Sequence, residues 1–323
     1  MYDRRVWRTA LGAVLLLASA CASSERGAPL PRTLAAYSAA GPYRFATGDA
    51  EWIDAARHLA IRARIYYPAD NARHPLVIFS HGLANSRLGY RYLGEHWASW
   101  GFISVHVEHP GAGEDLMRRG WIATYRAGFD KRLWSSAPAD VSFVIDQLLS
   151  PEHTPPFLRG HIDDHAIGVA GHSLGAYVAL AESGAIPAMN AGDKRIRAAI
   201  AMSMSENLPP KDYGTTNVPI LHFTGTSDSS LFYGTTKRMR RVPFETIRGA
   251  EQLLVTIRGA NHSTFSADDR SATEQRLSMI KAVTTLWWKA WLENDVEARQ
   301  LLSSADLAGE LRPLAVVERN HRD

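Results

Sequence analysis

The stretch GHSLG, residues 171–175, places a serine between two glycines, each two residues away from it. The apolar run at residues 166–170 predicts a buried strand before it, and residues 176–182 predict a helix that ends at Gly184. Ser173 is therefore expected on a tight turn between a strand and a helix. Such a turn holds the serine in a strained conformation with its hydroxyl projecting, and the glycines remove side chains that would collide.

The pattern is a weak signal by itself, because its three fixed positions occur by chance in about one chain in ten of this size. A Gly-rich turn between a strand and a helix is also an ordinary structural feature of α/β proteins. Nucleophilic serine chemistry further requires a histidine to take the hydroxyl proton, an acid to orient that histidine, and N–H donors for the oxyanion. The interpretation of Ser173 as a nucleophile depends on finding these partners.

A carboxylate and a histidine follow two later strands. Residues 218–223 predict a strand that runs into the loop carrying Asp228, and residues 253–257 predict a strand followed by the loop carrying His262. All three side chains are thus expected on loops at the same edge of one sheet. The chain order serine, acid, histidine is that of the α/β-hydrolases. The sequence predicts Ser173 as the nucleophile, His262 as the base and Asp228 as the acid.

Two other aspartates compete for the acid role. Asp193 and Asp212 lie outside the position just after a strand, and both are better interpreted as loop or capping residues. The acid role is therefore assigned to Asp228.

The oxyanion donors are expected on an earlier loop and at the start of the helix. Residues 75–80 predict a strand, and residues 81–86 form the loop after it. The backbone N–H of Leu83 on that loop is the first predicted donor, and the N–H of Leu174, next after the serine, is the second. Neither role needs a particular side chain.

Four other histidines are interpreted as packed or surface residues rather than as the base: His81, His106, His109 and His172. His106 and His109, together with Glu108, raise the alternative of a metal site. Alternating apolar residues at 102–108 indicate a strand instead, and no paired metal-ligand spacing accompanies them. We expect neither a metal nor another cofactor.

Three blocks of the chain, residues 80–83, 93–109 and 140–148, resemble the platelet-activating-factor acetylhydrolase and dienelactone-hydrolase-like branch of the α/β-hydrolases. The likeness extends over roughly residues 60–290. It implies a serine-dependent hydrolase that acts on carboxylic esters through an acyl-enzyme. The family's positions are matched by Ser173, Asp228 and His262 as the triad and by Leu83 and Leu174 as the oxyanion donors.

Two departures from the family limit what the resemblance implies about the substrate. Dienelactone hydrolases carry a cysteine nucleophile, whereas this chain has Ser173, so that activity is not expected. The loop at 110–115 differs from the acetylhydrolases and leaves the acyl group open, within small-molecule or lipid esters. Polyester or lipid hydrolysis is one alternative to a short-acyl esterase, and a catalytically silent binding lipoprotein on the same fold is another.

The amino terminus predicts export. Arg4, Arg5 and Arg8 precede an apolar run at residues 11–20, which is too short to span a membrane and is typical of a secretory signal. Cys21 follows directly and is the only cysteine of the sequence. It resembles the acceptor of a bacterial lipoprotein signal, which predicts a lipid-anchored protein facing the periplasm or the cell exterior. Ordinary cleavage with a free cysteine is the alternative, and the arginine pair matches a twin-arginine signal poorly.

The composition predicts a single folded domain. We expect a signal peptide at 1–20, a flexible tether at 21–45, a catalytic domain at 46–295 and a C-terminal extension at 296–323. A domain of roughly 250 residues is large enough to bury a core without disulfides. The net charge of +3, part of which comes from the signal arginines, gives no indication of nucleic-acid partners.

Alternating strands and helices with short connections predict an α/β fold, an open, mostly parallel sheet with helices on both faces. Strands are expected to start near Leu59, Leu76, Phe102, Ala166, Ile196, Val218 and Gln252. The most distinct predicted helices span residues 88–100, 138–149 and 272–292.

Two aromatic segments need an interpretation of their own. The last helix carries Trp287, Trp288 and Trp291, which are interpreted as core packing, with a surface for lipid or substrate as the alternative. The stretch 111–135 follows the end of a predicted strand, at the edge of the sheet where Ser173, Asp228 and His262 are expected. It is predicted to form a lid or a wall of the substrate site. Its large aromatic residues are Trp121, Tyr125, Phe129 and Trp134.

Overall fold

The computed structural model describes residue 30 and residues 32–204, 213–231 and 233–320. Within these residues nine strands form one sheet in the order β1-β2-β4-β3-β5-β6-β7-β8-β9. The strands are β1 (Phe45–Asp54), β2 (Leu59–Pro68), β3 (His74–Ser80), β4 (Ile103–Glu108), β5 (Ile162–His172), β6 (Ile196–Met202), β7 (Ile220–Gly225), β8 (Gln252–Ile257) and β9 (Ala315–Asn320). Strands β3 to β8 are parallel, whereas β1, β2 and β9 pair antiparallel at the two ends. The predicted α/β fold with an open, mostly parallel sheet is confirmed.

Helices cover both faces of the sheet. They are α1 (Arg32–Ser38), α2 (Arg91–Ser99), α3 (Glu114–Arg118), α4 (Trp121–Ala127), α5 (Lys131–Leu149), α6 (Leu174–Glu182), α7 (Val242–Thr246), α8 (Glu274–Leu292), α9 (Val296–Ser303) and α10 (Ala305–Leu311). One core cluster joins the sheet to α5 and α6. The other joins it to α1, α2, α8, α9 and α10. Because both faces are covered, the central strands are buried on both sides and read as continuous apolar runs.

Helix α5 begins at Lys131, earlier than the predicted start at residue 138. Pro138 lies inside it, although proline lacks an N–H and usually marks a helix boundary. The actual start is capped by Asp130, whose side chain accepts a hydrogen bond from the N–H of Arg132 at 2.9 Å. With this cap the helix begins inside the segment predicted as a lid, and the buried side chain of Trp134 holds its first turn against the core.

The two ends of the chain contribute more to the fold than the sequence predicts. Helix α1 lies within the expected tether at 21–45, and its Leu34 is fully buried in the core cluster with α8. Strand β9 lies within the expected C-terminal extension at 296–323 and pairs with β8. Strand β1 was not predicted either. Helix α1 and strand β9 are short, and β1 has most of its side chains exposed or half-exposed, so apolar periodicity gives little signal for these elements.

The three tryptophans of α8 lie in the apolar layer on one side of the sheet. Trp287 and Trp288 are buried, and Trp291 packs at the edge of the same cluster with the guanidinium of Arg299 4.5 Å from its ring centroid. Their surroundings are those of core residues.

The membrane predictions concern a part of the chain that is not described. The signal at 1–20 and Cys21 lie outside the described residues, as does Asp212. No helix among the described residues combines the length and the apolar character needed to cross a membrane.

Candidate active site

Ser173 lies on the sharp turn between β5 and α6. Its backbone angles are φ 56° and ψ −113°, a strained conformation for a residue with a side chain. A Cβ on Gly171 would collide with the carbonyl of Gly175, and a Cβ on Gly175 would collide with the carbonyl of Ser80. Only glycine fits at both positions. The two glycines therefore permit the close approach of β5, α6 and β3 that projects the Ser173 side chain.

The structure brings the three predicted side chains together. Nε2 of His262 lies 3.1 Å from Oγ of Ser173, and Nδ1 of the same ring lies 3.5 Å from Oδ1 of Asp228. Asp228 is fully buried, and Oγ1 of Thr224 donates a hydrogen bond to its Oδ2 at 3.0 Å. The capping box formed by Asn261 holds the turn that carries His262.

Two further side chains reach Nδ1 of His262, and the sequence interpretation missed both. Oγ of Ser203, the residue after β6, lies 2.6 Å from Nδ1. Nη2 of Arg240 lies 3.2 Å from it. Ser203 follows a predicted strand at the same edge as Asp228, which is a signal that could have found it. Arg240 lies in the basic run at 237–241, which is typical of a solvated surface.

The charges around His262 set two protonation states. Burial raises the pKa of the Asp228 carboxyl, but its contact with His262 and the charge of Arg240 outweigh this and hold that pKa well below its usual range. Burial lowers the pKa of the His262 imidazole, the contact with Asp228 opposes the shift, and Arg240 adds to it. At neutral pH the site therefore holds an ionised Asp228 beside a neutral His262. A neutral imidazole is the state that can accept a proton.

Leu174 follows Ser173 directly, and Leu83 lies on the loop after β3, which reaches the same turn. None of the hydrogen bonds among the described residues uses the backbone N–H of Leu83 or of Leu174. Leu174 is the first residue of α6, where helix geometry leaves the N–H without a partner. A Cβ built on Gly82, next to Leu83, would lie 3.4 Å from Cβ of Ser173, so the loop after β3 closes directly on the turn.

Two hydrogen-bond chains fix the peptide groups on either side of Gly82. On one side its N–H donates to the hydroxyl of Tyr90 at 3.3 Å, and Tyr90 bonds Nδ1 of His172 at 2.7 Å. On the other side its carbonyl accepts from Nδ1 of His81 at 2.7 Å. Burial lowers the pKa of His81 to about 4, so this ring is neutral and its other nitrogen can accept a hydrogen bond. The loop that carries Leu83 is thus held by two buried histidines.

Further contacts hold the other ring nitrogen of His81. The backbone N–H of His109 donates to Nε2 of His81 at 3.3 Å, and Nδ1 of His109 lies 2.9 Å from Oδ2 of Asp140. Nη1 of Arg57 lies 2.6 Å from Oδ1 of the same carboxylate. These side chains connect α5 and the end of β4 with the loop after β3.

The residues weighed for other roles have other partners. The carboxylate of Asp193 pairs with Arg195 and caps the turn before β6. Glu108 pairs with Arg87 at 2.6 Å, and His106 is buried beside Ser104. Across the described ranges, no group of three or more histidine, cysteine, aspartate or glutamate side chains is placed to hold a metal ion.

The predicted lid forms α3, α4 and the start of α5. Trp121 is 70% exposed and Phe129 52% exposed, whereas Trp134 is buried against Tyr177 of α6. The hydroxyl of Tyr233 donates to the carbonyl of Thr124 in α4 at 3.2 Å. Tyr233 follows Asp228 in the chain, so this contact ties the apolar segment to the loop that carries the acid.

An open, mostly parallel sheet with a serine on the strained turn between β5 and α6 defines an α/β-hydrolase. The family described as "Platelet-activating factor acetylhydrolase, isoform II" matches residues 60–113 of the chain. Over 225 residues the chain is 26% identical to platelet-activating factor acetylhydrolase of Canis lupus familiaris, and over 224 residues it is 24% identical to that of Bos taurus. Each match covers 60% of this chain and 48% of the relative, so the chain spans about half the length of the curated relatives it matches.

These matches confirm the predicted resemblance to the platelet-activating factor acetylhydrolase branch of the α/β-hydrolases. By their name, these relatives are acetylhydrolases. The match to the family ends at residue 113, within the predicted lid segment at 111–135.

Proposed function

We propose that this protein is a serine carboxylic ester hydrolase that works without a cofactor. The observation that carries the proposal is the 3.1 Å contact between Nε2 of a neutral imidazole, His262, and Oγ of Ser173 on a strained turn. A hydroxyl in this place can lose its proton to the ring as it attacks a carbonyl carbon. The free N–H groups of Leu83 and Leu174 supply the donors that the resulting oxyanion requires.

The reaction proceeds in two displacements. Oγ of Ser173 attacks the ester carbonyl while Nε2 of His262 takes its proton, and the oxyanion accepts hydrogen bonds from the two leucine amides. The alcohol leaves with the proton from Nε2, which gives the acyl-enzyme. Water then attacks the acyl carbon with His262 again as the base, and the acid is released. Asp228 stays ionised throughout and stabilises the imidazolium that forms in each step.

The substrate class we propose is a short-acyl or lipid-derived ester. By their name, the matched relatives act on the acetyl group of platelet-activating factor. In this chain the segment beside the acid loop exposes Trp121, Ile122 and Phe129. An apolar surface of this kind suits a substrate with a hydrocarbon portion better than a small, fully hydrated one. The same surface is the observation that favours a polyester or lipid substrate as the second candidate.

A series of p-nitrophenyl esters from acetate to palmitate tests the function and the substrate class together. We expect saturable hydrolysis, with kcat/KM highest at one end of the series. Preference for acetate and butyrate supports a short-acyl esterase, and preference for long chains supports the lipid or polyester alternative. Absence of hydrolysis across the series by folded protein would contradict the enzyme assignment and favour the silent binding lipoprotein.

We also propose that the chain is exported and anchored through Cys21. The support is the position of this sole cysteine directly after a short apolar segment preceded by arginines. A diacylglyceryl group on Cys21 would keep the mature chain in the membrane fraction, released by detergent rather than salt, because acyl burial does not respond to ionic screening. Intact mass of the mature protein, compared with the Cys21→Ser variant, tests this. An unmodified chain that begins elsewhere than Cys21 would contradict it.

A further inference from the structure

Arg240 is a buried arginine next to the acid and the base. It is 4% exposed, and a guanidinium that is removed from water to this extent is stable only with charged or hydrogen-bonded partners. Nη1 donates to the carbonyls of Ser203 at 2.9 Å and Met204 at 3.0 Å. Nε lies 3.1 Å from Oδ1 of Asp228. One planar group therefore joins the loop after β6 to the loop after β7.

The same guanidinium also reaches the loop after β8. Its Nη2 lies 3.2 Å from Nδ1 of His262, the ring nitrogen that faces the acid. Oγ of Ser203 lies 2.6 Å from that nitrogen, closer than Oδ1 of Asp228 at 3.5 Å. The three loops at this edge of the sheet thus meet at Arg240.

We propose that Arg240 is a positioning residue of the active site, which holds Asp228 and the Ser203 loop in register with Nδ1 of His262. Its positive charge also lies 3.2 Å from that ring nitrogen, where it acts against a second positive charge on the imidazole. The proposal rests on the ester hydrolase function proposed above. Among the described residues no hydrogen bond or ion pair joins Arg240 to Ser173, so Arg240 acts through the acid and the base.

The positioning role of Arg240 follows from the geometry of its guanidinium group. Arginine presents several N–H donors in one rigid plane, whereas lysine presents a single flexible ammonium group. A lysine at this position could neutralise Asp228, but it could not also hold both carbonyls of the loop after β6. We therefore expect the charge and the geometry of Arg240 to be separable by substitution.

The electrostatic part depends on the charges that face His262. Asp228 favours the imidazolium, and Arg240 disfavours it. The His172 ring, 4.5 Å from the His262 ring, carries no charge near neutral pH because burial holds its pKa well below the usual range. Two more carboxylates on the loop beyond His262, Asp268 and Asp269, are hydrogen-bonded to Asn85 and Asn261.

The sign of the effect follows from this balance. Removal of the positive charge of Arg240 leaves the imidazolium opposed by burial alone and favoured by Asp228, so the pKa of His262 rises. A base with a higher pKa is protonated at higher pH. The acidic limb of the kcat/KM profile, which reports the base of the free enzyme, then moves towards alkaline pH.

Three variants separate these effects. Arg240→Gln removes the positive charge, and Arg240→Lys keeps the charge but lacks the planar guanidinium group. Arg241→Gln is the matched control, because Arg241 is a neighbouring, more exposed arginine paired with Glu245 and Glu318. Each variant is compared with the wild type in the pH dependence of kcat and KM for one p-nitrophenyl ester.

We expect the acidic limb of Arg240→Gln to move up by about one pH unit. In Arg240→Lys the acidic limb of the kcat/KM profile should not move. Its kcat should fall about 10²-fold with little change in KM, because a small misplacement of the base slows the reaction without weakening substrate binding. Arg241→Gln matches the wild type in both. An unmoved limb in folded Arg240→Gln, or an equal shift in Arg241→Gln, would overturn the proposal.

A second measurement does not depend on turnover. NMR titration of the His262 ring, assigned by its loss in His262→Ala, should give a pKa below 6.5 in the wild type and a higher one in Arg240→Gln. A wild-type value at or above 6.5 would overturn the proposal even if Arg240→Gln failed to fold. Lack of ester hydrolysis by the wild type, with these titrations as expected, would instead contradict only the proposed function.

Discussion

Nδ1 of His109 and Oδ2 of Asp140 lie 2.9 Å apart, and both side chains are buried. This pair links helix α5 to His81 and, through His81, to the carbonyl of Gly82. The loop that carries the predicted oxyanion donor Leu83 is therefore supported by a carboxylate at the far end of a buried chain. We therefore expect a substitution of Asp140 to disturb the loop that carries Leu83.

Asp140→Ala should lower both stability and turnover. Loss of the carboxylate leaves Nδ1 of His109 without its partner and leaves Arg57 paired with Asp54 alone, which costs about 2–4 kcal/mol of unfolding free energy. The loosened loop lowers kcat by about tenfold or more, because the oxyanion donors must be held in place. Urea unfolding and steady-state kinetics measure the two effects. Asp146→Ala, on the exposed face of the same helix, is the control and should change neither by a comparable amount.

Ser173→Ala should abolish ester hydrolysis without loss of the fold. Only a projecting hydroxyl is removed, so the thermal midpoint should stay close to that of the wild type. Loss of the nucleophile should lower kcat by about 10⁴-fold or more. Ser303→Ala, a change at an exposed serine of α9, is the control with full activity expected. Wild-type turnover in purified Ser173→Ala would refute the proposed mechanism.

Asp228→Asn and His262→Ala should each lower kcat strongly with no comparable rise in KM. Both changes act on the proton transfer from Ser173 rather than on the binding of the substrate. Asp193→Asn is the comparison, since Asp193 pairs with Arg195 and caps the turn before β6. Steady-state kinetics decide between the two aspartates. A larger loss in Asp193→Asn than in Asp228→Asn would show that the acid is misassigned.

Glu182 at the end of α6 should make stability depend on pH. Burial raises the pKa of this carboxyl to about 8, against about 4.5 for an exposed one. The unfolded chain ionises first as the pH rises, so the folded state loses stability between pH 4.5 and pH 8. Glu182→Gln removes this loss and should be more stable than the wild type at pH 8 by about 2–4 kcal/mol, with a smaller difference at pH 5.

Urea unfolding at the two pH values measures the Glu182 effect. Glu152→Gln, a change at an exposed glutamate, is the control, and its difference from the wild type should not vary with pH. Equal differences between Glu182→Gln and the wild type at both pH values would show that Glu182 is ionised in the folded protein.

The sequence by itself determined the parallel sheet and the places of Ser173, Asp228 and His262. Each of these residues follows an apolar run that forms a strand, and the ends of parallel strands meet at one edge of the sheet. The GHSLG turn needs glycine at two positions for local steric reasons. Such features depend on neighbours in the chain, so they can be read from the chain. The catalytic roles of the three residues stay a prediction until the variants are measured.

The tertiary structure decided what surrounds these residues. Arg240 lies in a basic run typical of a surface, and only the convergence of three loops buries it beside Asp228. His109 and Asp140 are far apart in the chain and meet because α5 crosses the end of β4. Strands β1 and β9 exist because the edges of the sheet offer unpaired N–H and C=O groups. Contacts between distant residues determine burial and charge environment, and a single sequence does not display those contacts.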